Sequence, residues 1–195
     1  MERSKKMKNL LMLFLFAGAM FTAGAAEEIR DLKLNEWFTW KSPKNRAKFV
    51  RSKANAQYPQ GAVRFDVAPG EGRYAATTYG NEKISAGDKF KFIITVKFSE
   101  DVNSDVKVGI SLNGKNAKRD WYKDYARQVR PAVTAAFAVA PGKESTAEVE
   151  VDLAKYKLPE IVTICPFVSV SDLKSGSVTV TKCQMIVTSP EAAGK

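Results

Sequence analysis

"KFKFIITVKF", residues 89–98, sets Phe90, Phe92, Ile94, Val96 and Phe98 at every second position, with Lys91, Ile93, Thr95 and Lys97 between them and Lys89 before them. Alternation of period two sends those five apolar side chains to one face of an extended strand, whereas a helix would spread them around its axis. The same alternation, or a short buried run, recurs in "AVRFDV" (62–67), "VKVGISL" (106–112), "AVTAAFAV" (132–139), "TAEVEVDL" (146–153), "IVTICPFVSV" (161–170) and "SVTVTKCQMIV" (177–187). Turn-forming clusters separate them: "APGEG" at 68–72, "SAGDK" at 85–89, "SEDVNSD" at 99–105, "APGKES" at 140–145 and "SDLKSG" at 171–176. With shorter candidates at 29–34, 46–51 and 73–79, about ten strands occupy one domain. The fold class is all-β, an antiparallel β-sandwich, most simply a jelly roll.

One stretch interrupts the pattern. "LNGKNAKRDWYKDYARQVRP", residues 112–131, is too long for a hairpin turn and repeats Ala117, Trp121, Tyr125 and Val129 at every fourth position. That is a narrow apolar stripe if the segment is a short helix ended by Pro131; an extended loop is the other reading. Six cations (Lys115, Lys118, Arg119, Lys123, Arg127, Arg130) face two carboxylates (Asp120, Asp124), a net +4 on one insertion.

The opening 28 residues, "MERSKKMKNLLMLFLFAGAMFTAGAAEE", combine Arg3, Lys5, Lys6 and Lys8 with an apolar run at 10–21 and the small residues Ala23, Gly24 and Ala25. This is the pattern of a secretory signal peptide. The organisation expected is a signal peptide over 1–25, a β-sandwich over 26–188 and a frayed tail over 189–195, with the mature chain secreted or periplasmic and lacking a transmembrane segment. The whole chain carries +10; residues 1–25 hold four of its basic and one of its acidic residues, so 27 basic and 20 acidic residues remain and the mature charge is +7. Such an excess favours acidic partners: polysaccharides, anionic cell surfaces or nucleic acid. No nucleic-acid recognition motif accompanies it, and nucleic acid is not the expected partner.

Cys165 and Cys183 both lie in the exported part, each in an apolar alternating stretch with "SDLKSG" between them. An oxidising compartment would permit a disulfide between successive strands; two buried free thiols are the alternative. The chain contains no histidine. Ser-His-Asp and Cys-His catalysis and histidine-ligated metals are therefore excluded, and two isolated cysteines make a poor zinc site. Carboxylate chemistry is all that an enzyme would have left. Glu148 and Glu150 alternate with Val149 and Val151 on a solvated strand face, and Asp88, Asp101, Asp105 and Asp172 sit in turns that favour Asp. Asp120 and Asp124 form the one compact pair, and their cationic neighbours lower a carboxylate pKa, the wrong direction for a general acid. No catalytic residue, metal or cofactor is expected.

The order "WFTW" (37–40), "GAVRFDV" (61–67), "ISAGDKFKFIITVKFS" (84–99), "STAEVEVDL" (145–153) and "GSVTVTKCQMIV" (176–187) resembles the carbohydrate-binding modules of the galactose-binding-like jelly-roll group, attached to bacterial cellulases and xylanases. In that group an I-x-A-G-x-x-F/Y step enters a central strand, as Ile84, Ala86, Gly87 and Phe90 do here. Such modules often hold a structural calcium through acidic residues of the final strand. Thr181, Lys182, Cys183 and Gln184 stand there instead, so no metal residue carries over.

The resemblance implies a non-catalytic, exported carbohydrate-binding module favouring acidic or cell-surface glycans. An envelope or secreted protein-protein interaction domain is the alternative, with an envelope protein as partner. Sugar rings stack their C–H faces on aromatic side chains while polar neighbours bond the hydroxyls. Trp121, Tyr122 and Tyr125, beside Arg119, Asp120 and Lys123, have that company, although the stripe of Trp121 and Tyr125 would serve equally to pack the insertion down. Arg73 and Tyr79 in "GRYAATTYGN" and Trp40 in "NEWFTWKSP" are further candidates, Trp37 and Trp40 also reading as core or edge anchors.

Overall fold

The alternation of residues 89–98 is realised as a ten-residue strand whose Phe90, Phe92, Ile94, Val96 and Phe98 are all buried. A computed structural model of the chain describes residues 26–39, 48–67, 74–77, 87–115, 118, 133–156 and 163–189. The strands among them are β1 (Ala26–Asp31), β2 (Phe38–Thr39), β3 (Lys48–Ser52), β4 (Ala62–Asp66), β5 (Tyr74–Thr77), β6 (Lys89–Phe98), β7 (Lys107–Lys115), β8 (Thr134–Ala136), β9 (Glu144–Asp152), β10 (Thr163–Ser171) and β11 (Ser177–Ser189).

Two antiparallel sheets result. One has the order β3-β4-β11-β6-β9, with β1 also pairing the second half of β11; the other has the order β2-β5-β10-β7-β8. The inward side chains of both sheets form one apolar core, including Phe65, Phe92 and Met185 from the first and Val108, Ile110, Leu112, Ile164 and Val168 from the second. Leu34, in a 3-10 turn at Leu34–Glu36, and Trp37 just after it are fully buried in the same core. The expected all-β sandwich is what the chain forms.

A bulge explains why "SVTVTKCQMIV" alternates imperfectly. The pairing of β11 with β6 shifts between Val180 and Lys182, so Thr181 is an extra residue. Val178 and Val180 point into the core before it, Cys183 and Met185 after it; one added residue moves the apolar set from even to odd positions.

At one end of the sandwich Asn103 ties two loops together. Its Oδ1 accepts from the backbone N–H of Lys174 (2.7 Å) and Ser175 (3.1 Å), and its Nδ2 donates to the carbonyl of Asp172 (2.8 Å). A side-chain hydrogen bond from Lys174, with a second from Asn103, pulls the Asp105 carboxyl down to a pKa of about 2. Gly176 beside this clamp has φ +69°, and a Cβ there would stand 2.6 Å from the Val102 backbone nitrogen, so glycine is required.

Two expectations change. Leu112–Lys115 continue β7 as strand rather than opening the insertion; beyond them Lys118 is an exposed turn residue and the rest of 116–132 lies outside the described residues. The strand read at 132–139 shortens to three residues. β2 is a two-residue strand too short to carry a periodic signal.

The expected disulfide is also corrected. Cys165 and Cys183 are free and buried. They stand on strands of different sheets: Cys183 points into the core from β11, whereas Cys165 lies out of register with the inward Ile164 and Val168 of β10. A thiol on the far side of its own sheet cannot reach across a sandwich about 10 Å thick, because a bridge needs Cα atoms within about 7 Å. Burial raises the Cys165 pKa to about 11 and pushes that of Cys183 up further. Both thiols should therefore resist iodoacetamide at pH 8 in the native protein and both should react in urea without reductant. Rapid labelling of either one under native conditions would contradict this burial.

Candidate functional site

On β7, Ile110 and Leu112 face the core, so Ser111, Asn113 and Lys115 turn to the opposite face of the five-stranded sheet. An outer face normally meets water, yet Ser111, Asn113 and Lys115 are 7%, 8% and 4% exposed. On the neighbouring β10, Cys165 and Phe167 share this outward parity and are buried as well. The register pairs Lys115 with Thr163, Asn113 with Cys165, and Ser111 with Phe167. Polar and apolar groups thus interleave on one patch.

The Lys115 ammonium lies 5.6 Å from the centre of the Phe38 ring. β10 and β5 separate their strands, about 14 Å at ordinary strand spacing, so both side chains lean inward over the sheet. The contact has cation–π geometry. Thr163 Oγ1 is 4.0 Å from Cys165 Sγ, and the positive charge of Lys115 partly offsets the effect of burial on that thiol. The hydroxyl of Ser111 is buried with no hydrogen-bond partner. A desolvated hydroxyl left unbonded costs about 1–3 kcal/mol. Among the described residues no group of three or more Cys, Asp or Glu is placed to hold a metal.

The nine residues singled out from sequence, Trp121, Tyr122, Tyr125, Arg119, Asp120, Lys123, Arg73, Tyr79 and Trp40, all lie outside the described residues. Their order in the chain is nevertheless informative. Trp40 directly follows β2, Arg73 directly precedes β5, Tyr79 comes two residues after β5 ends, and 119–125 belong to the connection from β7 to β8. Every one lies in a connection that enters or leaves a strand of the five-stranded sheet. The chain leaves β5 at Thr77 and β7 at Lys115, both toward the end of the sheet where Lys115 meets Phe38. Ser111, Asn113, Lys115 and Phe38 were not singled out. The signal for three of them was present in "ISLNGK", where polar residues alternate with apolar ones beyond the point at which the strand was taken to end.

No family model and no curated protein matches the chain. Solved structures do match in fold. The CBM22-1 xylan-binding domain of Paenibacillus barcinonensis Xyn10C aligns with 86% of this chain and 99% of its own at 12% identity and a TM-score of 0.53. A cyclase from Fischerella sp. TAU aligns over 80% of this chain and 86% of its own at 10% identity and a TM-score of 0.53. The enzymatically active domain of Bacteriophage CBA120 tailspike protein 4 aligns over 76% of this chain at 10% identity and a TM-score of 0.50; the chain spans only 19% of it. These likenesses bear out the antiparallel β-sandwich expected from the sequence, as a fold.

Proposed function

We propose that this protein is an exported, non-catalytic carbohydrate-binding module that holds a glycan against the outer face of its five-stranded sheet. The observation that carries the reading is the patch of Ser111, Asn113 and Lys115 beside the Phe38 ring: hydroxyl, amide, ammonium and aromatic groups together on a face turned away from the core. These are the partners that sugar hydroxyls and C–H faces require. Further support comes from the fold shared with a xylan-binding domain. The buried cation and the +7 charge of residues 26–195 favour acidic or cell-surface glycans, and the character of residues 1–25 favours export.

Calorimetric titration with defined oligosaccharides, neutral and uronic, tests the reading. Saturable binding is expected. Asn113→Ala should weaken it by about 1–2 kcal/mol through the loss of amide hydrogen bonds, measured on the folded fraction because the residue is buried. Binding unaffected by Asn113→Ala would remove this face from the reaction. Capture of an envelope protein in place of any saccharide would favour the interaction-domain alternative.

A further inference from the structure

A second feature lies on the opposite sheet and owes nothing to the patch just described. The register aligns Val50, Arg64, Thr179 and Lys97 in one row across β3, β4, β11 and β6. Arg64 alternates with the buried Val63 and Phe65 on β4, and Lys97 with the buried Val96 and Phe98 on β6, so this row is on the outer face while those neighbours face the core. The row forms part of a groove of about 240 Å3, also lined by Ser52, Ser177 and Tyr58. Its volume is below that of drug-sized ligand pockets and suits a single sugar ring.

The groove is polar and positive, and an aromatic ring lines it. Arg64 is half-exposed and oriented by Asp66, whose Oδ2 accepts from its Nε (3.2 Å) and Nη2 (3.1 Å). Lys97 is exposed and makes no ion pair among the described residues. Tyr58 stands on a turn tied from both sides: its N–H donates to Asn55 Oδ1 (2.8 Å), and its carbonyl accepts from the N–H of Asn55 (3.0 Å) and of Gly61 (2.9 Å). Gly61 has φ +77°, and a Cβ there would come within 2.6 Å of the Ser52 carbonyl, so the turn is held against β3 by a close backbone approach. A turn whose backbone is ordered before the ligand arrives loses little entropy on binding.

We infer that this groove is a second saccharide site, taking one residue of an acidic glycan: the sugar ring lies against Tyr58, its carboxylate or sulfate between Arg64 and Lys97, and its hydroxyls on Ser52, Ser177 and Thr179. Guanidinium and ammonium groups bond oxyanions strongly, the hydroxyls bond either way, and an aromatic ring adds what a bare inorganic anion cannot use. The groove stands whether or not the five-stranded face binds sugar. If both do, the domain is bivalent and can bridge two polysaccharide chains.

The test is a residue-resolved NMR titration of the protein with trigalacturonate, the corresponding neutral trisaccharide and inorganic sulfate in turn. Trigalacturonate should shift the amides of Tyr58, Arg64, Lys97 and Thr179 along one saturating curve, while the neutral sugar shifts them only weakly. Lys97→Gln, which leaves the Arg64–Asp66 pair intact, should weaken that curve about tenfold, and Tyr58→Ala by a similar factor. Shifts at Asn113 and Lys115, if present, should be unchanged in both variants, which separates this site from the first. Sulfate saturating the groove as tightly as trigalacturonate, with Tyr58→Ala without effect, would mean an adventitious ion only. Preferential binding of a single-stranded oligonucleotide there, or no shift at these four amides, would equally overturn the inference.

Discussion

Trp37→Ala is expected to cost about 3–5 kcal/mol of folding stability, the range for deleting a large aromatic from a packed core. Trp37 is fully buried, and the 3-10 turn that delivers it is fastened at both ends: its N–H donates to the Leu34 carbonyl (3.1 Å), and its own carbonyl accepts from Arg51 (3.1 Å). The backbone at this position is tied, which limits how far the turn can settle into the cavity left by the missing ring. Domains have only about 5–15 kcal/mol in total, so the loss is a substantial part of the margin. Melting should fall on the order of 10 °C for a domain of this size. A second substitution separates volume from polarity. The Trp37 indole N–H is buried without an acceptor, an unfavourable term that Trp37→Phe removes together with part of the ring. Trp37→Phe should therefore cost less than half as much. Urea unfolding followed by circular dichroism gives both values, and a cost below about 1 kcal/mol for Trp37→Ala would show that the core closes without it.

The two tryptophans of "WFTW" show how far sequence reaches. Trp37 read as a core or edge anchor because a large ring beside short alternating strands is more often buried than not, and it is fully buried. Long strands were legible for a related reason: in "KFKFIITVKF" and "TAEVEVDL" every second residue is apolar, and pairing two such strands buries both sets at once, as Phe92 opposite Val149 does. Period two is a local property, so local sequence displays it. The site was less legible because it depends on which strands become neighbours. Lys115 and Phe38 meet although 76 positions separate them, and no periodicity in either segment announces the other. Cys165 and Cys183 failed in the same way. Adjacent strands in the chain suggested a hairpin, but β10 and β11 enter different sheets, and sheet membership is decided by long-range pairing. The bulge at Thr181 is intermediate: a change of parity is visible in "TVTKCQM", but its meaning appears only beside the unbroken β6.

Lys115→Met should abolish most of the affinity for acidic saccharides while leaving neutral ones bound, and here the burial of the lysine decides the expected size. A hydrogen bond to a charged group contributes about 1.5–3 kcal/mol, against 1 kcal/mol or less for an exposed ion pair. Lys115 is 4% exposed, so the larger figure applies, a loss of roughly ten- to a hundredfold. Methionine keeps the unbranched stem that lies across the sheet toward Phe38 and removes only the charge and its donors. Salt then tells a desolvated cation from a solvated one. Attraction between solvated charges is screened beyond about 10 Å at 0.1 M, whereas a desolvated contact is screened far less. The Lys115→Met deficit should thus persist at high salt. Reversing Arg119 and Lys123 to Glu, in the charged connection that follows β7, should weaken binding mainly at low salt. Trp121→Ala, under the stacking reading of that connection, should weaken it by about 1–3 kcal/mol at every salt concentration. If Lys115→Met instead unfolds the protein, or binds uronic and neutral oligosaccharides as the parent does, the cation is part of the architecture of the sheet and recognition of acidic sugars does not pass through it.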